Sequence, residues 1–157
     1  MSEEKIAFLQ NQFIPLLRSI PSDRQPLWGK MTLQQMVEHF TDSIRIASGL
    51  TEHQVIITPP ENLQRMQDFL MSDKAFRENT VNPLMPVVPA PVKNVSITKA
   101  IDELQNELKH FFSVFDANPH LTTRNPTFGD LNFQMNVQLL YKHALHHLRQ
   151  FDVIPSP

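Results

Sequence analysis

Apolar residues recur three and four positions apart through most of this chain, and that period commits it to helices. From Glu3 to about Ile20, the residues Ile6, Leu9, Phe13, Leu17 and Ile20 share one stripe at about 100° per residue. Pro15 interrupts the stripe; it has no N–H to donate and predicts a kink. Pro21, Pro26 and Gly29 mark the turn that follows. Thr32 stands three residues before Gln35, the spacing of a capping box, and opens a helix to about Ser48. Leu33, Met36, Val37, Phe40, Ile44 and Ala47 form its apolar face, and Gly49 is its stop signal. A shorter helix is predicted from Pro60 to about Met71, with Leu63, Met66 and Leu70 inward. The period returns from about Ser96 to Phe115 through Ile97, Ile101, Leu104, Leu108, Phe111, Phe112 and Phe115. Asp130 has the chemistry of an N-cap for a last helix running to about Phe151.

The remaining segments are irregular. Gln54 to Thr58 has the composition of a strand but is too short for its period to decide. Residues 79–95 carry Pro83, Pro86, Pro89 and Pro91 among Val and Met, which excludes helix and predicts an extended crossover docked on the bundle. Pro119 and Pro126 bracket a loop, and residues 154–157 read as a loose tail. The expectation is therefore all-α: a four-helix bundle with a long Pro-rich crossover and a short extra helix. A chain of 157 residues is served by one core, so residues 1–157 are read as a single domain.

Composition removes whole classes of chemistry. There is no cysteine, hence no disulfide, thiolate metal site, iron–sulfur cluster or cysteine nucleophile. Three glycines leave no room for a dinucleotide-binding or phosphate-loop motif, and no G-x-S-x-G occurs. Fourteen Lys plus Arg against 16 Asp plus Glu give a net charge of −2 without a basic run. That balance argues against nucleic acid as a partner and against a helix-turn-helix reading of the capped second helix. No apolar run reaches the roughly 18 residues of a spanning helix, and the acidic start has no apolar stretch behind it. No membrane partner and a cytoplasmic location are expected.

The seven histidines carry the functional signal. With Leu140 as reference on the last helix, His143 lies roughly 60° and His147 roughly 20° away, within the apolar face and one turn apart. Buried imidazoles need partners, since an unpaired polar group costs about 1–3 kcal/mol. Histidines at i and i+4 also offer two nitrogens to one metal ion. His39, at the rim of the second helix's apolar face, is the candidate third ligand. His146 falls on the flank and Gln150 on the His143 side of the strip, both candidates for the shell around the ligands. His53, His110 and His120 are expected in solvent, as are Glu38 and Asp42 unless a rotation of their helix turns either carboxylate toward the ligands. The competing reading is two core histidines that pair with Gln150, Tyr141 or backbone carbonyls. Three neutral imidazoles would suit Zn²⁺, Ni²⁺, Fe²⁺ or Mn²⁺ and leave a coordination position open.

Several stretches together carry a resemblance. Trp28-Gly29-Lys30-Met31-Thr32, Gln35-Met36-Val37-Glu38-His39, Phe128-Gly129 and the run from Tyr141 through His143, His146 and His147 to Gln150 resemble the DinB/YfiT-like superfamily, in particular a bacterial subfamily of unassigned activity. The likeness spans most of the chain outside the Pro-rich middle. It implies a four-helix bundle and a divalent metal on His39, His143 and His147. It also implies a metal-dependent hydrolase or a transferase using low-molecular-weight thiols such as bacillithiol and mycothiol, with a small-molecule substrate or thiol as partner. Homodimers are common in the superfamily, so a homodimer is one assembly the resemblance allows. One position departs from the pattern: Asn125-Pro126 stands where a His-Pro pair is expected before the Phe-Gly turn.

Two classes of function follow. In the enzyme reading, His39, His143 and His147 hold the metal and Gln150 orients a ligand. No inward carboxylate offers a general base, which favours binding of a thiol or other ligand over attack by water. The alternative is a non-catalytic or stress-associated helical module whose histidines pack or bind metal adventitiously.

Overall fold

Pro15 divides the first apolar stripe into two helices, α1 (Ser2–Asn11) and α2 (Phe13–Ser19), in the computed structural model, which describes residues 2–78 and 88–157. The single kinked helix expected from Glu3 to Ile20 is thus two. Proline has no N–H for the Asn11 carbonyl and its ring crowds that group, so the chain restarts at Gln12 and Pro15 falls in the new first turn. The apolar face survives the break: Leu9, Phe13, Ile14 and Leu17 are all buried.

Helix α3 (Leu33–Ser48) begins at the expected capping box, with the Thr32 side chain accepting from Gln35 N and Gln35 Oε1 accepting from Thr32 N at 2.8 Å. It ends at Gly49, whose φ of 81° is left-handed. Helix α4 (Pro60–Met71) has Pro60 in its first turn and buries Leu70, while Leu63 and Met66 are half-buried. Helix α5 (Ile97–Ala117) is capped by the Ser96 side chain. Helix α6 (Phe133–Gln150) is capped by Asn132, whose side chain accepts from Met135 N at 2.9 Å.

Asp130 is therefore not the N-cap of the last helix. It lies on a two-stranded antiparallel hairpin, β1 (Thr123–Asn125) and β2 (Gly129–Leu131), and pairs with Arg124 across the strands at 2.8 Å. The stretch bracketed by Pro119 and Pro126, expected as a loop, holds the first strand of this hairpin, and the strands are too short to show a period. Asn125 builds its turn by accepting from Thr127 N and Phe128 N at 2.9 and 3.0 Å. Gln54 to Thr58 forms no strand; Ile57 N–H instead reaches the Pro126 carbonyl at 2.7 Å and the Thr58 hydroxyl reaches the Thr127 carbonyl at 2.6 Å.

Helix α3 packs on α5 and α6, α1 on α6, and α2 on α5. With α1 and α2 as one broken helix, the architecture is the expected all-α four-helix bundle, with α4 and the hairpin added on the crossover side. One core cluster joins Phe13 and Leu17, Met36, Phe40 and Ile44, Leu104 and Phe111, and Leu140, Ala144 and Leu148. A smaller cluster of Leu70, Phe128 and Leu131 sits beneath α4 and the hairpin. Lys142 ties α4 down: its Nζ donates to the Phe69, Leu70 and Ser72 carbonyls at 2.8, 3.3 and 3.3 Å, meeting acceptors that a helix end leaves free.

Of the Pro-rich crossover, residues 79–87 lie outside the described residues and 88–95 contain neither helix nor strand. The latter stretch is held on α3 by Glu38, which accepts from Lys93 N at 2.7 Å and Asn94 N at 3.0 Å, and by Gln34 and Gln35, which donate to the Asn94 and Ala90 carbonyls. Glu38 is thus buried and not solvated as expected, because it serves backbone donors that no helix or strand ladder uses. The loose tail is shorter than expected, since Ile154 packs against the core and only 155–157 are exposed. Among the described residues, no helix is long and apolar enough to cross a membrane.

Candidate metal centre

The register of α3 and α6 decides where the histidines meet. On α3, Met36, Val37, Phe40 and Ile44 are buried, and this leaves His39 half-buried at the edge of that face. On α6, Val137, Leu140, Ala144 and Leu148 are buried, and His143 and His147 lie between them and the rim. Packing α3 against α6 therefore brings the three rings together.

The contact is made by the same atom of each ring. His143 Nε2 lies 2.7 Å from His147 Nε2 and 3.2 Å from His39 Nε2, and the donor atoms of all three lie within 4.8 Å of one another. Ring centroids are 4.5 Å apart for His143 and His147, 5.1 Å for His39 and His143, and 5.3 Å for His39 and His147. Phe40 stacks on His143 at 4.7 Å, so the base of the cluster is apolar. His147 is buried, whereas His39 and His143 are half-buried.

Hydrogen bonding fixes one tautomer. The Trp28 carbonyl can only accept, and Gln150 Nε2 donates to it at 3.0 Å. The other end of that amide, Oε1, therefore faces His147 Nδ1 at 2.7 Å and can only accept from it. His147 thus carries its proton on Nδ1 and presents a bare lone pair at Nε2. At 2.7 Å from that lone pair, His143 Nε2 either carries a proton or shares a cation with it. If His143 Nε2 carries the proton, His39 Nε2 is best left bare, because a second N–H would point at the first. The metal-free cluster thus accommodates one proton among three nitrogens.

A divalent ion fits this donor set. Metal–nitrogen bonds of about 2.0–2.1 Å place two imidazole nitrogens roughly 2.9–3.4 Å apart at angles between 90° and tetrahedral. The 3.2 Å separation falls in that window, the 2.7 Å one needs to open by a few tenths of an ångström, and the third, between His39 and His147, lies within 4.8 Å. Protonation does not compete at neutral pH. Burial drives the His39 pKa down to about 4, outweighing the attraction of Asp42. Burial, and then the neighbouring histidines, hold His143 and His147 well below the ordinary imidazole range.

The structure brings together all three expected ligands and sets the expected outer residues around them. Gln150 is buried and bonded to His147. His146 stays on the flank, its ring 5.2 Å from His147, 5.4 Å from Trp28 and 6.3 Å from Phe76. Burial lowers its pKa, although a backbone hydrogen bond at Phe76 works the other way. His110 and His120 are exposed as expected, while His53 is half-buried. Glu38, next to His39 in sequence, is turned away. Burial raises its pKa, but the hydrogen bonds from Asn94, Lys93 and Gln34 outweigh that and hold it below the ordinary carboxyl value.

Sequence reasoning missed the Trp28 carbonyl and Phe40 as parts of the site. Helical angle could have suggested Phe40, which neighbours His39 on α3. A backbone carbonyl leaves no mark in a sequence. The fold and site define an all-α bundle with a three-histidine cluster able to coordinate a metal ion. No family model, curated protein or solved structure matches the chain.

Proposed function

We propose that the protein is a divalent-metal-dependent enzyme acting on a small molecule, either a hydrolase or a transferase that uses a low-molecular-weight thiol. The observation that carries this reading is the convergence of three Nε2 atoms that share at most one proton. A structural histidine cluster has no reason to aim three like atoms at one point, whereas a cation at that point satisfies all of them. When bound, the metal supplies Lewis acidity, polarising a ligand oxygen or lowering the pKa of bound water toward ~7. His39, His143 and His147 hold it, Gln150 orients His147, and Phe40 and Trp28 help keep the surroundings apolar.

Three neutral ligands leave the charge of a divalent ion unbalanced, and Glu38 is committed to the 93–94 backbone. The donor cluster contains no carboxylate among the described residues. This favours an anionic incoming ligand such as a thiolate over water attack assisted by a carboxylate base. The motif likeness to the DinB/YfiT-like superfamily supports the same reading, and with it a cytoplasmic setting where such thiols are found.

The test begins with elemental analysis of untagged protein after separate incubation with Zn²⁺, Ni²⁺, Mn²⁺ and Fe²⁺, beside a His143→Ala/His147→Ala variant. One equivalent of metal in the wild type and none in the variant is expected. Absence of stoichiometric metal in both removes the basis of the proposal. A panel of esters, amides and thiol–electrophile pairs then tests turnover. A metal-loaded protein inert across the panel favours a non-catalytic module.

A further inference from the structure

Residues 24–29 wrap the C-terminal end of α6, and one side chain joins that wrap to the histidine cluster. Arg24 Nη1 donates to the Phe151 carbonyl at 2.9 Å and Leu27 N–H to the Gln150 carbonyl at 2.7 Å, so the wrap satisfies acceptors that the helix end leaves free. The Gln150 side chain lies between the two, its Nε2 on the Trp28 carbonyl and its Oε1 on His147 Nδ1. The approach is close. At Gly29, where φ is +79°, glycine is favoured by conformation, and a Cβ would stand 3.1 Å from Gln150 Nε2, so the amide would have to give by a few tenths of an ångström. The Trp28 ring rests edge-on against His146 at 5.4 Å.

We propose that Gln150 is a positioning residue that fixes the tautomer of His147, and that it couples metal occupancy to docking of the 27–29 segment through the Trp28 carbonyl. A carboxamide is suited to both tasks, because one end can only donate and the other can only accept. The Trp28 carbonyl selects which end points outward, and that choice dictates which end faces the imidazole. His147 must then hold its proton on Nδ1, leaving Nε2 free for a cation. When a cation withdraws charge from the ring, Nδ1–H becomes a stronger donor. The amide polarises, and its N–H bond to Trp28 tightens in turn. By reciprocity, a docked segment raises metal affinity by the factor through which metal strengthens docking. The coupling half of this inference rests on the metal-binding reading; the tautomer half does not.

The two halves have separate readouts. In metal-free protein at neutral pH, ¹⁵N-resolved NMR of the imidazoles should show His147 as the Nδ1–H tautomer. Gln150→Glu keeps an acceptor for Nδ1–H but loses the donor to Trp28; Gln150→Leu loses both. The tautomer should persist in Gln150→Glu and become mixed in Gln150→Leu. Zn²⁺ affinity should fall about 10–100-fold in Gln150→Leu and be largely rescued in Gln150→Glu. Zn²⁺ should slow hydrogen exchange at Leu27 N–H about fivefold or more in the wild type and leave it unchanged in both variants. An Nε2–H tautomer of His147 in the wild type overturns the proposal, and so does a Gln150→Leu variant with unaltered tautomer and zinc affinity. Unchanged Leu27 exchange in zinc-loaded wild type overturns the coupling alone. Failure of the wild type to bind any of Zn²⁺, Ni²⁺, Mn²⁺ and Fe²⁺ refutes the metal reading and the coupling with it, while the metal-free spectrum still decides the tautomer. Should Gln150→Leu not fold, the wild-type spectrum and Gln150→Glu decide.

Discussion

Acid should unfold the metal-free protein earlier than its carboxylates alone would require. His39 is neutral in the folded state down to a pKa of about 4, against 6.5 for the free imidazole. Because the folded value is depressed, the unfolded chain takes up the proton first, and stability falls as pH drops from 6.5 toward 4. That fall amounts to about 2 kcal/mol by pH 5 and about 3 kcal/mol by pH 4 for His39 alone, a large share of a typical total of about 5–15 kcal/mol. His143 and His147 act in the same direction. Glu38 also destabilises on acidification, but only as pH falls through the ordinary carboxyl value of 4.5 and toward its lower folded value. The window from pH 6.5 to 5 therefore isolates the histidines. Urea unfolding of chelator-treated protein, followed by helical circular dichroism across that window, gives the slope directly. His39→Leu should lower the dependence by the contribution of one histidine. A wild type whose stability is flat from pH 7 to 5, or a His39→Leu variant with an undiminished slope, refutes the argument that the cluster is held neutral by burial.

Three further outcomes follow from single contacts. Gly29→Ala must adopt a positive φ with its Cβ 3.1 Å from Gln150 Nε2. It should lose about 1–3 kcal/mol, read as a drop in Tm of several degrees; an unchanged Tm would mean that the 27–29 segment does not dock as described. Lys142→Met keeps the aliphatic stem but strips the Phe69, Leu70 and Ser72 carbonyls of their ammonium donor. A loss of about 1–3 kcal/mol in urea unfolding is expected, and none would show that α4 is secured otherwise. Glu38→Gln replaces an acceptor-only group with one that must turn an NH₂ toward the donors of Lys93, Asn94 or Gln34. Limited proteolysis should cut within residues 88–95 faster in this variant, and an equal rate would count against Glu38 as the anchor of that segment.

Much of the fold was legible because burial in a helix leaves a periodic trace. Helix α3 begins and ends where Thr32 and Gly49 indicate, α4 begins at Pro60, and the apolar face of α5 is readable through Phe115. The misreadings fall where period is absent or a single residue overrides it. Pro15 within an unbroken stripe predicts a bend in one helix, but its missing N–H and its ring act together at the Asn11 carbonyl and start a new helix. Three-residue strands have no period to read, so the hairpin at Thr123–Leu131 leaves no trace in the sequence, and Asp130 has the chemistry of a cap while its strand partner Arg124 claims it. Glu38 lies on the polar side of its helix by angle alone. It is buried because a segment 55 residues later in the chain lays its backbone N–H groups over it.

The same distinction applies inside the site. His143 and His147 were legible as a pair because they share one helix, and a shared helix fixes their spacing at one turn. His39 was legible as a candidate only, since its meeting with them depends on how α3 rotates against α6. The apolar packing of Phe40, which stacks on His143 and contacts Phe13, sets that rotation. The outermost layer was the least legible. Gln150 could be placed beside the histidines by angle, but its function depends on which end of the amide faces inward, and the Trp28 carbonyl decides that from 122 residues away. A side chain's chemistry is written in the sequence, whereas the direction in which a symmetric-looking amide points is set by a backbone atom common to every residue. For this reason Gln150→Glu is the informative substitution. It keeps the acceptor that His147 needs and removes the donor by which the 27–29 segment sets the amide's direction, while adding a negative charge beside the ring.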